Sequence, residues 1–564
     1  DAENYFEIDF EKKKYTENNS ELTKLWKSTI QYQTAQNYIT LYKEKYPSEN
    51  EIVIEKELEL EARLKTKKDL NRRFKRLKEK TTKDYYIDYF DTMTRSFGPH
   101  TTYLPPEEKE DFDINMSGQL EGIGAVLREE DGFIKVVRII PGSASWRQGK
   151  LKAEDIILKV AQPNSEAISI IETPVREAVK LIRGRKGTEV ILTIKKPDGM
   201  IENISIVRDI VVLKSTYARS GVFYLKDNPY GYINLPSFYR DFDNKNNRNA
   251  SDDIKFLLTK LSNSNVNGLI LDLRNNGGGS LRDAVNISGF FIDKGPVVQV
   301  SDNSKRKETY KDKDNKLYFD KPLIVLVNTF SASASEIVAA ALQDYNRGII
   351  IGDKHTFGKG TVQKLLDLNR NYSSRSFRSK KDLGYLKITI QEYFRITGQS
   401  TQFNGVVPDI IFPNQYDYLE VGERELKYAF KGTITQPINY DKWPYSLDKN
   451  TLINNTYKRL DGNKTVKTLN EYNTFMKNQR ENSYKSVTVT DLWGRLQTIK
   501  EKNKIISDLE IEKTYSKFKP LEPNYEEIED EASKEDLDNW IKKFETDFTL
   551  NEALLVLENM QVKN

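Results

Sequence analysis

Cysteine is absent and histidine occurs only at His100 and His355. Thiol nucleophiles, disulfides, Cys-liganded zinc and iron–sulfur clusters are therefore excluded, and a His-based triad or metal site has few residues to draw on. The residues that could carry chemistry gather in one window: Ser331-Ala332-Ser333-Ala334-Ser335-Glu336, then Gln343-Asp344, then Phe357-Gly358-Lys359-Gly360-Thr361-Val362-Gln363. The serines follow an apolar run, 322–327, and precede a helical stretch. A Ser at a strand-to-helix turn holds its hydroxyl at the sheet edge, beside helix N–H groups that lack intrahelical acceptors. That pairs a nucleophile with an oxyanion site, the requirement of acyl transfer. An ordinary helix cap uses the same residue type. Lys359 lies between two glycines after another apolar strand. A Lys at its usual pKa of about 10.4 is protonated at neutral pH. Burial disfavours the ammonium, and a neutral Lys can take the proton of a Ser hydroxyl. A phosphate-gripping Lys is the other use of a glycine loop, but the spacing Gly-x-x-x-x-Gly-Lys-Ser/Thr is absent.

The elements that must position these residues are legible as apolar runs. Tyr230 to Leu235, Gly268 to Leu273, Pro322 to Val327 and Gly348 to Gly352 read as buried strands. Helical stretches at Ser251 to Leu261, Ser280 to Ile292 and Ser335 to Gln343 lie between them. Such alternation predicts an α/β layer with a covered sheet. The charged segment Ser304 to Asn315 reads as a surface loop. Upstream, Ala125 to Leu127 and Phe133 to Ile140 read as strands joined by an Asp131-Gly132 turn. Val175 to Ile182 has one apolar helical face, and Ile201 to Val207 closes a unit of domain size. The first hundred residues are helical, with Leu22, Leu25, Trp26 and Ile30 on one face. Glu55 to Lys80 alternates acids and bases and reads as a solvated helix rather than a nucleic-acid patch. Beyond about 430 the chain is polar and helical again, ending in Phe548 to Met560, where Thr549 and Glu552 suggest a capping box.

The quoted window, with Asn328-Thr329-Phe330 before it, resembles the carboxy-terminal processing peptidases, and within them the bacterial tail-specific proteases. Three further stretches carry the resemblance in consistent order over about residues 85–415: Leu120-Glu121-Gly122-Ile123-Gly124-Ala125, Asp272-Leu273-Arg274-Asn275-Asn276-Gly277-Gly278-Gly279, and Gly405-Val406-Val407-Pro408-Asp409-Ile410. The resemblance implies an α+β multidomain chain. Its core would be a crotonase-like α/β serine protease with an inserted PDZ domain and helical N- and C-terminal regions. Its divisions would be a helical region at 1–104, a PDZ domain at 105–212, the peptidase core at 213–430 and a helical region at 431–564. It implies Ser333 as nucleophile, Lys359 as general base, Gln363 as the residue orienting that base, and Asp344 as a further member of the active centre. Backbone N–H groups of Ala334, Gly278 and Gly279 would form the oxyanion hole. In the PDZ domain Leu120, Gly122, Ile123 and Gly124 would bind a chain terminus, added as a strand with its carboxylate on backbone N–H groups. Leu120 and Ile123 would shape an apolar pocket for the last side chain. Two departures are visible. The loop Gly352-Asp353-Lys354-His355-Thr356 is one residue longer than the usual Gly-Glu-Pro-Thr, and Gly98-Pro99-His100-Thr101 stands for the usual Asp-Pro-His-Thr. His100 is expected to hold local structure and His355 to be a loop residue.

Composition agrees with these implications. The chain has 564 residues, 30% of them charged, yet a net charge of only +4, so a dedicated nucleic-acid binder is not indicated. Aromatic residues at 11% argue against wholesale disorder. No stretch approaches the ~18–20 apolar residues of a membrane span. The polar start, Asp1-Ala2-Glu3-Asn4-Tyr5, is no signal peptide and lacks an initiating Met. A removed export segment, and a periplasmic or cell-envelope location, is what the resemblance implies. No cofactor or metal is expected. Partners would be unfolded or tail-exposed proteins and, by the resemblance, a lipoprotein adaptor. The leading expectation is an ATP-independent serine endopeptidase that docks apolar C-terminal tails in its PDZ domain and cleaves them with a Ser/Lys dyad. The alternatives are a catalytically silent PDZ scaffold that binds protein C-termini and an acyl-CoA enzyme on the same core. Joint retention of Ser333, Lys359 and Gln363 speaks against the first, and the PDZ-like insert against the second.

Overall fold

The computed structural model describes residues 5–9, 12, 14–244, 246–370, 382–444, 448–509, 511–521 and 531–560. The chain forms two compact units. One comprises Asp1–Asp88, Pro413–Glu420 and Arg459–Ile511; the other comprises Tyr89–Phe412, Val421–Lys458 and Glu512–Asn564.

The first unit is helical, built on Asn19–Lys45, Lys56–Glu79, Lys464–Glu481 and Val489–Ser507. Its core joins Ala35, Tyr38, Ile39 and Tyr42 to Leu58, Ala62, Leu492 and Trp493. Trp493 satisfies its indole N–H on the Asn50 carbonyl at 2.9 Å. The apolar face expected at Leu22, Trp26 and Ile30 is largely exposed instead; full burial in this helix starts at Ala35. The charged Lys56–Glu79 helix is solvated as its composition predicts, burying only Leu58, Ala62 and Thr66.

In the second unit, the strands Ala125–Glu130, Phe133–Ile139, Ile156–Ala161, Glu189–Lys195 and Ile201–Val207 follow one another across an antiparallel sheet. The turn between the first two has positive φ at both Asp131 (51°) and Gly132 (86°), the conformation that matches hairpin twist. The Val175–Ile182 helix packs Ala178 and Ile182 into the core of this sheet with Ile134, Val136, Ile157, Val190 and Leu192. Ala125–Glu130 and Ile201–Val207 are the two edge strands of this order.

The strands Leu269–Asp272, Leu323–Val327 and Ile349–Gly352 lie side by side and parallel in a seven-stranded sheet, and are buried throughout. Their near-continuous apolar sequences follow from cover on both faces. The Ala250–Asn263, Leu281–Gly289 and Ala334–Asp344 helices pack into this core. The Phe548–Asn559 helix packs on the sheet as well: a Cβ on Gly268 would lie 2.8 Å from Leu557. The strand Lys517–Pro520 pairs with Arg219–Leu225 and extends the same sheet. The polar stretch after residue 430 therefore separates into three parts: 431–458 stays with the second unit, 459–511 joins the helical unit, and 512–564 returns to the second unit. The final helix is capped by Asp547, which accepts the Leu550 N–H at 2.9 Å, not by the expected Thr549. A second sheet orders Lys307–Lys311, Pro296–Asp302, Tyr385–Phe394 and Thr361–Asp367, with Thr102–Leu104 added to Tyr385–Phe394. The segment expected as a loop at Ser304 to Asn315 thus contributes an edge strand, hidden in the sequence by its charged side chains. Among the described residues no helix is long and apolar enough to cross a membrane.

Candidate active site

The three serines at 331–335 have different fates. Ser331 donates its hydroxyl to the Leu273 carbonyl at 2.8 Å and accepts the Asn328 N–H at 2.9 Å. Ser335 donates to the Asn276 carbonyl at 2.8 Å. Both are fully buried and tie the turn to the glycine loop that follows Leu269–Asp272. Ser333 alone of the three is partly exposed. It caps the Ala334–Asp344 helix with φ +56°, a left-handed conformation that costs a non-glycine residue about 1–3 kcal/mol and is held only where the surroundings enforce it.

Glu336 does much of that enforcing. Its side chain is fully buried. One carboxylate oxygen accepts the backbone N–H of Ser333 at 2.8 Å and of Lys359 at 2.9 Å. The other accepts the Gly358 N–H at 2.8 Å and the Thr356 hydroxyl at 2.5 Å. One oxygen atom thus fixes the backbones of both Ser333 and Lys359. Burial pushes the Glu336 carboxyl up to about 7, against the pull of its four donors. Tyr393, buried on the Tyr385–Phe394 strand, adds a second clamp. Its hydroxyl reaches the Ser333 carbonyl at 3.1 Å and also the Lys359 carbonyl.

Lys359 is held between these clamps. Its amine is pushed down to about 8, chiefly by burial and secondarily by Lys387; Glu423 and Glu336 pull the other way. Among the described residues its Nζ makes no ion pair or hydrogen bond. The next residue, Gly360, donates its N–H to Gln402 at 2.7 Å. Gln402 in turn donates to Glu423 at 2.9 Å, and the other Glu423 oxygen meets His100 Nε2 at 2.7 Å. His100 therefore holds local structure, as expected, and among the described residues the one hydrogen bond of the His355 ring is to the adjacent Thr356 carbonyl at 2.7 Å. The longer loop before Lys359 exposes Lys354, while Thr356 and Phe357 are pinned by N–H bonds to Val406 and Ser331, each at 3.0 Å.

The glycine loop abuts the nucleophile turn. A Cβ on Gly278 (φ +105°) would lie 2.8 Å from the Ser333 Cβ and 2.9 Å from the Ala332 carbonyl, so only glycine allows this approach. The Gly278 N–H is committed to Asn276 Oδ1 at 2.9 Å. The N–H groups of Ala334, first in its helix, and of Gly279 have no acceptor among the described residues. Of the three expected oxyanion donors, these two stay available.

Two expected members stand apart. Gln363 gives its amide hydrogens to Thr361 at 2.9 Å and Thr389 at 3.3 Å; no hydrogen bond joins it to Lys359 among the described residues. Asp344 lies at the far end of the Ala334–Asp344 helix, roughly 15 Å from Ser333 at 1.5 Å per residue. There it pairs with Arg395 through several contacts, among them Nε to Oδ1 at 3.1 Å. Burial raises its carboxyl; Arg395 offsets this in part. Asp344→Asn is expected to lower stability by about 3–5 kcal/mol, the cost of breaking a buried pair, and to leave kcat within about tenfold of the parent. Thermal unfolding and steady-state kinetics check both.

In the small antiparallel domain, Gly122 is buried and Leu120 partly exposed. Ile123 lies in the short connection between the Gln119–Gly122 and Ala125–Glu130 strands and packs its side chain into the domain core at 3% exposure. Gly124 has φ +81°, and a Cβ there would fall 2.1 Å from Ser143. The sequence reading places Glu336 in its window without a role and leaves Tyr393 out. For Glu336 a signal existed, since Ser333-x-x-Glu336 is a capping-box spacing. Tyr393 carried none. No cluster that could hold a metal ion exists among the described residues.

A strained Ser and a glycine-flanked Lys anchored on one carboxylate oxygen, beside N–H donors with no acceptor among the described residues, form an arrangement suited to acyl transfer. Family models specify it further: a PDZ domain matches 111–195, peptidase family S41 matches 229–412, and the N- and C-terminal domains of tail-specific proteases match 1–107 and 416–561. The chain is 33% identical over 349 residues to the carboxy-terminal processing protease CtpA of Bacillus subtilis, covering 60% of this chain and 68% of that one. It is 34% identical over 349 residues to the carboxy-terminal-processing protease of Bartonella bacilliformis, covering 60% and 74%. It is also 37% identical over 423 residues to the tail-specific protease of Haemophilus influenzae, covering 75% of this chain and 57% of that protein's length. Among solved structures it is similar to the photosystem II D1 C-terminal processing protease, with 21% identity, coverage of 68% and 93%, and a TM-score of 0.33. The chain belongs to the carboxy-terminal processing protease family, peptidase family S41.

Proposed function

We propose that this chain is a serine endopeptidase that works without ATP, captures apolar C-terminal tails in its PDZ domain and cleaves polypeptides with Ser333 and Lys359. The observation that carries the reading is the shared anchoring of these two residues, whose backbones meet on one Glu336 oxygen and on one Tyr393 hydroxyl. Neutral Lys359 Nζ takes the proton of the Ser333 hydroxyl as Oγ attacks the scissile carbonyl. The N–H groups of Ala334 and Gly279 receive the charge that develops on oxygen. The Lys359 ammonium then protonates the leaving amine, and the amine repeats the proton transfer with water to hydrolyse the acyl-enzyme. Gln363 and Asp344 take supporting places in this scheme, one bracing the strand after Lys359 and the other the far end of the nucleophile's helix. By the family resemblance, the setting is the bacterial cell envelope.

Hydrolysis of an unstructured protein, with and without an apolar C-terminus, tests the reading. Loss of cleavage with the tail removed supports tail capture. The pH profile tests the base. Lys359 is active when deprotonated, so kcat/KM should rise with pH through an apparent pKa near 8 and level off above it. A flat profile between neutrality and the alkaline plateau would argue against Lys359 as the base.

A further inference from the structure

The glycine loop beside Ser333 is tied to a distant part of the chain through Arg274, a residue that no step of the reaction uses. Two carboxylates take two edges of its planar guanidinium. On one edge Nε donates to Asp272 Oδ1 at 3.0 Å and Nη2 to Asp272 Oδ2 at 2.6 Å. On the other Nη1 donates to Asp547 Oδ1 at 2.9 Å and Nη2 to Asp547 Oδ2 at 2.7 Å. The Arg274 backbone N–H also reaches Asp272 Oδ1, at 3.0 Å, so side chain and loop backbone are fixed together. All three side chains are mostly buried. Asp547 lies 273 positions along the chain from Arg274. It caps the Phe548–Asn559 helix by accepting the Leu550 N–H, and the helix dipole favours its charge there. The residues after Arg274 hold the nucleophile turn. Asn275 donates its N–H to Asn328 Oδ1 at 2.9 Å and accepts from Asn328 Nδ2 at 2.8 Å. The Asn276 carbonyl accepts the Ala332 N–H at 2.9 Å and the Ser335 hydroxyl at 2.8 Å. Gly278 and Gly279 follow at once.

Resting on the reading of Ser333 as nucleophile and of the Gly279 N–H as an oxyanion donor, we propose that Asp547 and Arg274 are positioning residues for the oxyanion site, through which the C-terminal segment holds the glycine loop against the nucleophile turn. Asp272 ties Arg274 only to the end of its own strand, two residues back. With that one carboxylate the guanidinium can swing; with a second on its other edge, from a different element, the fork is fixed in its plane. An oxyanion donor acts only at hydrogen-bond distance from the developing charge, so a small displacement of the loop is felt in the transition state and not in substrate binding. Asn276 and the Phe238 N–H, which meets the Gly278 carbonyl at 2.9 Å, anchor the loop from the other side. Loss of Asp547 therefore shifts the loop without dissolving it. Outright removal of an oxyanion donor costs about 10²–10³ in kcat; a displaced one should cost about tenfold.

The test uses the full chain. Asp547→Ser keeps a residue that caps a helix but is too short to reach Arg274; Asp547→Asn keeps the cap and one acceptor without the charge. Two readouts are taken below the onset of melting: steady-state hydrolysis of a peptide, and binding of a peptidyl boronic acid against binding of the same peptide as its unreactive amide. The boronic acid adds to the Ser333 hydroxyl and sets an oxygen in the oxyanion site, whereas the amide makes ground-state contacts alone. Asp547→Ser should lower kcat and boronic-acid affinity about tenfold and leave KM and amide affinity within about twofold, with Asp547→Asn in between. Arg274→Lys keeps the charge but not the fork and should lose as much. Adding Asp547→Ser to it should cost little more, since Asp547 acts through Arg274. Parent-like kcat and boronic-acid affinity in Asp547→Ser, with only Tm lowered, would overturn the proposal and reduce the pair to a docking contact. Losses that add in full in the double variant would overturn it too. If the parent binds the boronic acid no better than the amide, or Ser333→Ala binds it as well as the parent, the reading of Ser333 as nucleophile fails and takes the proposal with it.

Discussion

Hydrolysis of an unstructured protein is expected to fall by a factor on the order of 10⁴ or more with either Ser333→Ala or Lys359→Met, and to fall no further when the two are combined. The non-additivity follows from the mechanism: each residue acts only through the other. The two variants should differ in stability. Ser333→Ala keeps the strained φ of +56° and should leave Tm nearly unchanged. Lys359→Met removes an amine that folding desolvates. Its folded pKa, about 8, lies below the ordinary 10.5, so the unfolded chain binds more protons between those values and parent stability rises with pH across that window. Below pH 8 the full penalty applies. The Met variant should therefore melt higher than the parent at neutral pH, and this advantage should fade as pH climbs from about 8 toward 10.5. A Lys359 variant that is both inactive and destabilised at neutral pH would instead make the residue a structural support.

Glu336 gives the second large effect. Glu336→Ala leaves the N–H groups of Ser333, Gly358 and Lys359 without their acceptor, and a buried unsatisfied donor costs about 1–3 kcal/mol. A loss of about 3–5 kcal/mol in stability is expected, together with a fall in kcat of about 10²–10³. Glu336→Gln is the sharper probe. Its volume is preserved, but one of its terminal atoms becomes a donor and faces two donors, either Ser333 and Lys359 or Thr356 and Gly358. The amide should therefore lower kcat far more than it raises KM, since backbone positions at the reacting groups move while tail binding does not. Chemical denaturation and steady-state kinetics on both variants measure these effects. Parent-like kcat in Glu336→Gln would remove Glu336 from the account of how the dyad is held.

What the sequence disclosed and withheld follows the range of the interactions. The strands Leu269–Asp272, Leu323–Val327 and Ile349–Gly352 announce themselves because a doubly covered strand must be apolar throughout. The Asp131-Gly132 hairpin is legible because its turn demands positive φ at both residues. The Lys307–Lys311 strand is not legible, because an exposed edge strand carries the charges of a loop. The cap at Asp547 displaced the Thr549 reading by two residues, within the usual slack of helix ends. At the site, the window 331–363 names Ser333 and Lys359, but what holds them is nonlocal. Glu336 reaches Lys359 across 23 positions and Tyr393 reaches Ser333 across 60, and no local pattern encodes either contact. Asp344 shows the converse: the family resemblance implied a place in the active centre, whereas an 11-residue helix separates it from Ser333.

Trapping the covalent intermediate tests the central claim most directly. The parent chain is mixed with an activated peptide ester, quenched in acid during turnover and mapped by mass spectrometry. The account predicts an acyl group on Ser333, absent from Ser333→Ala and formed much more slowly in Lys359→Met. An acyl group on Ser331 or Ser335, or sustained peptide hydrolysis by Ser333→Ala with no acyl-enzyme, would contradict it.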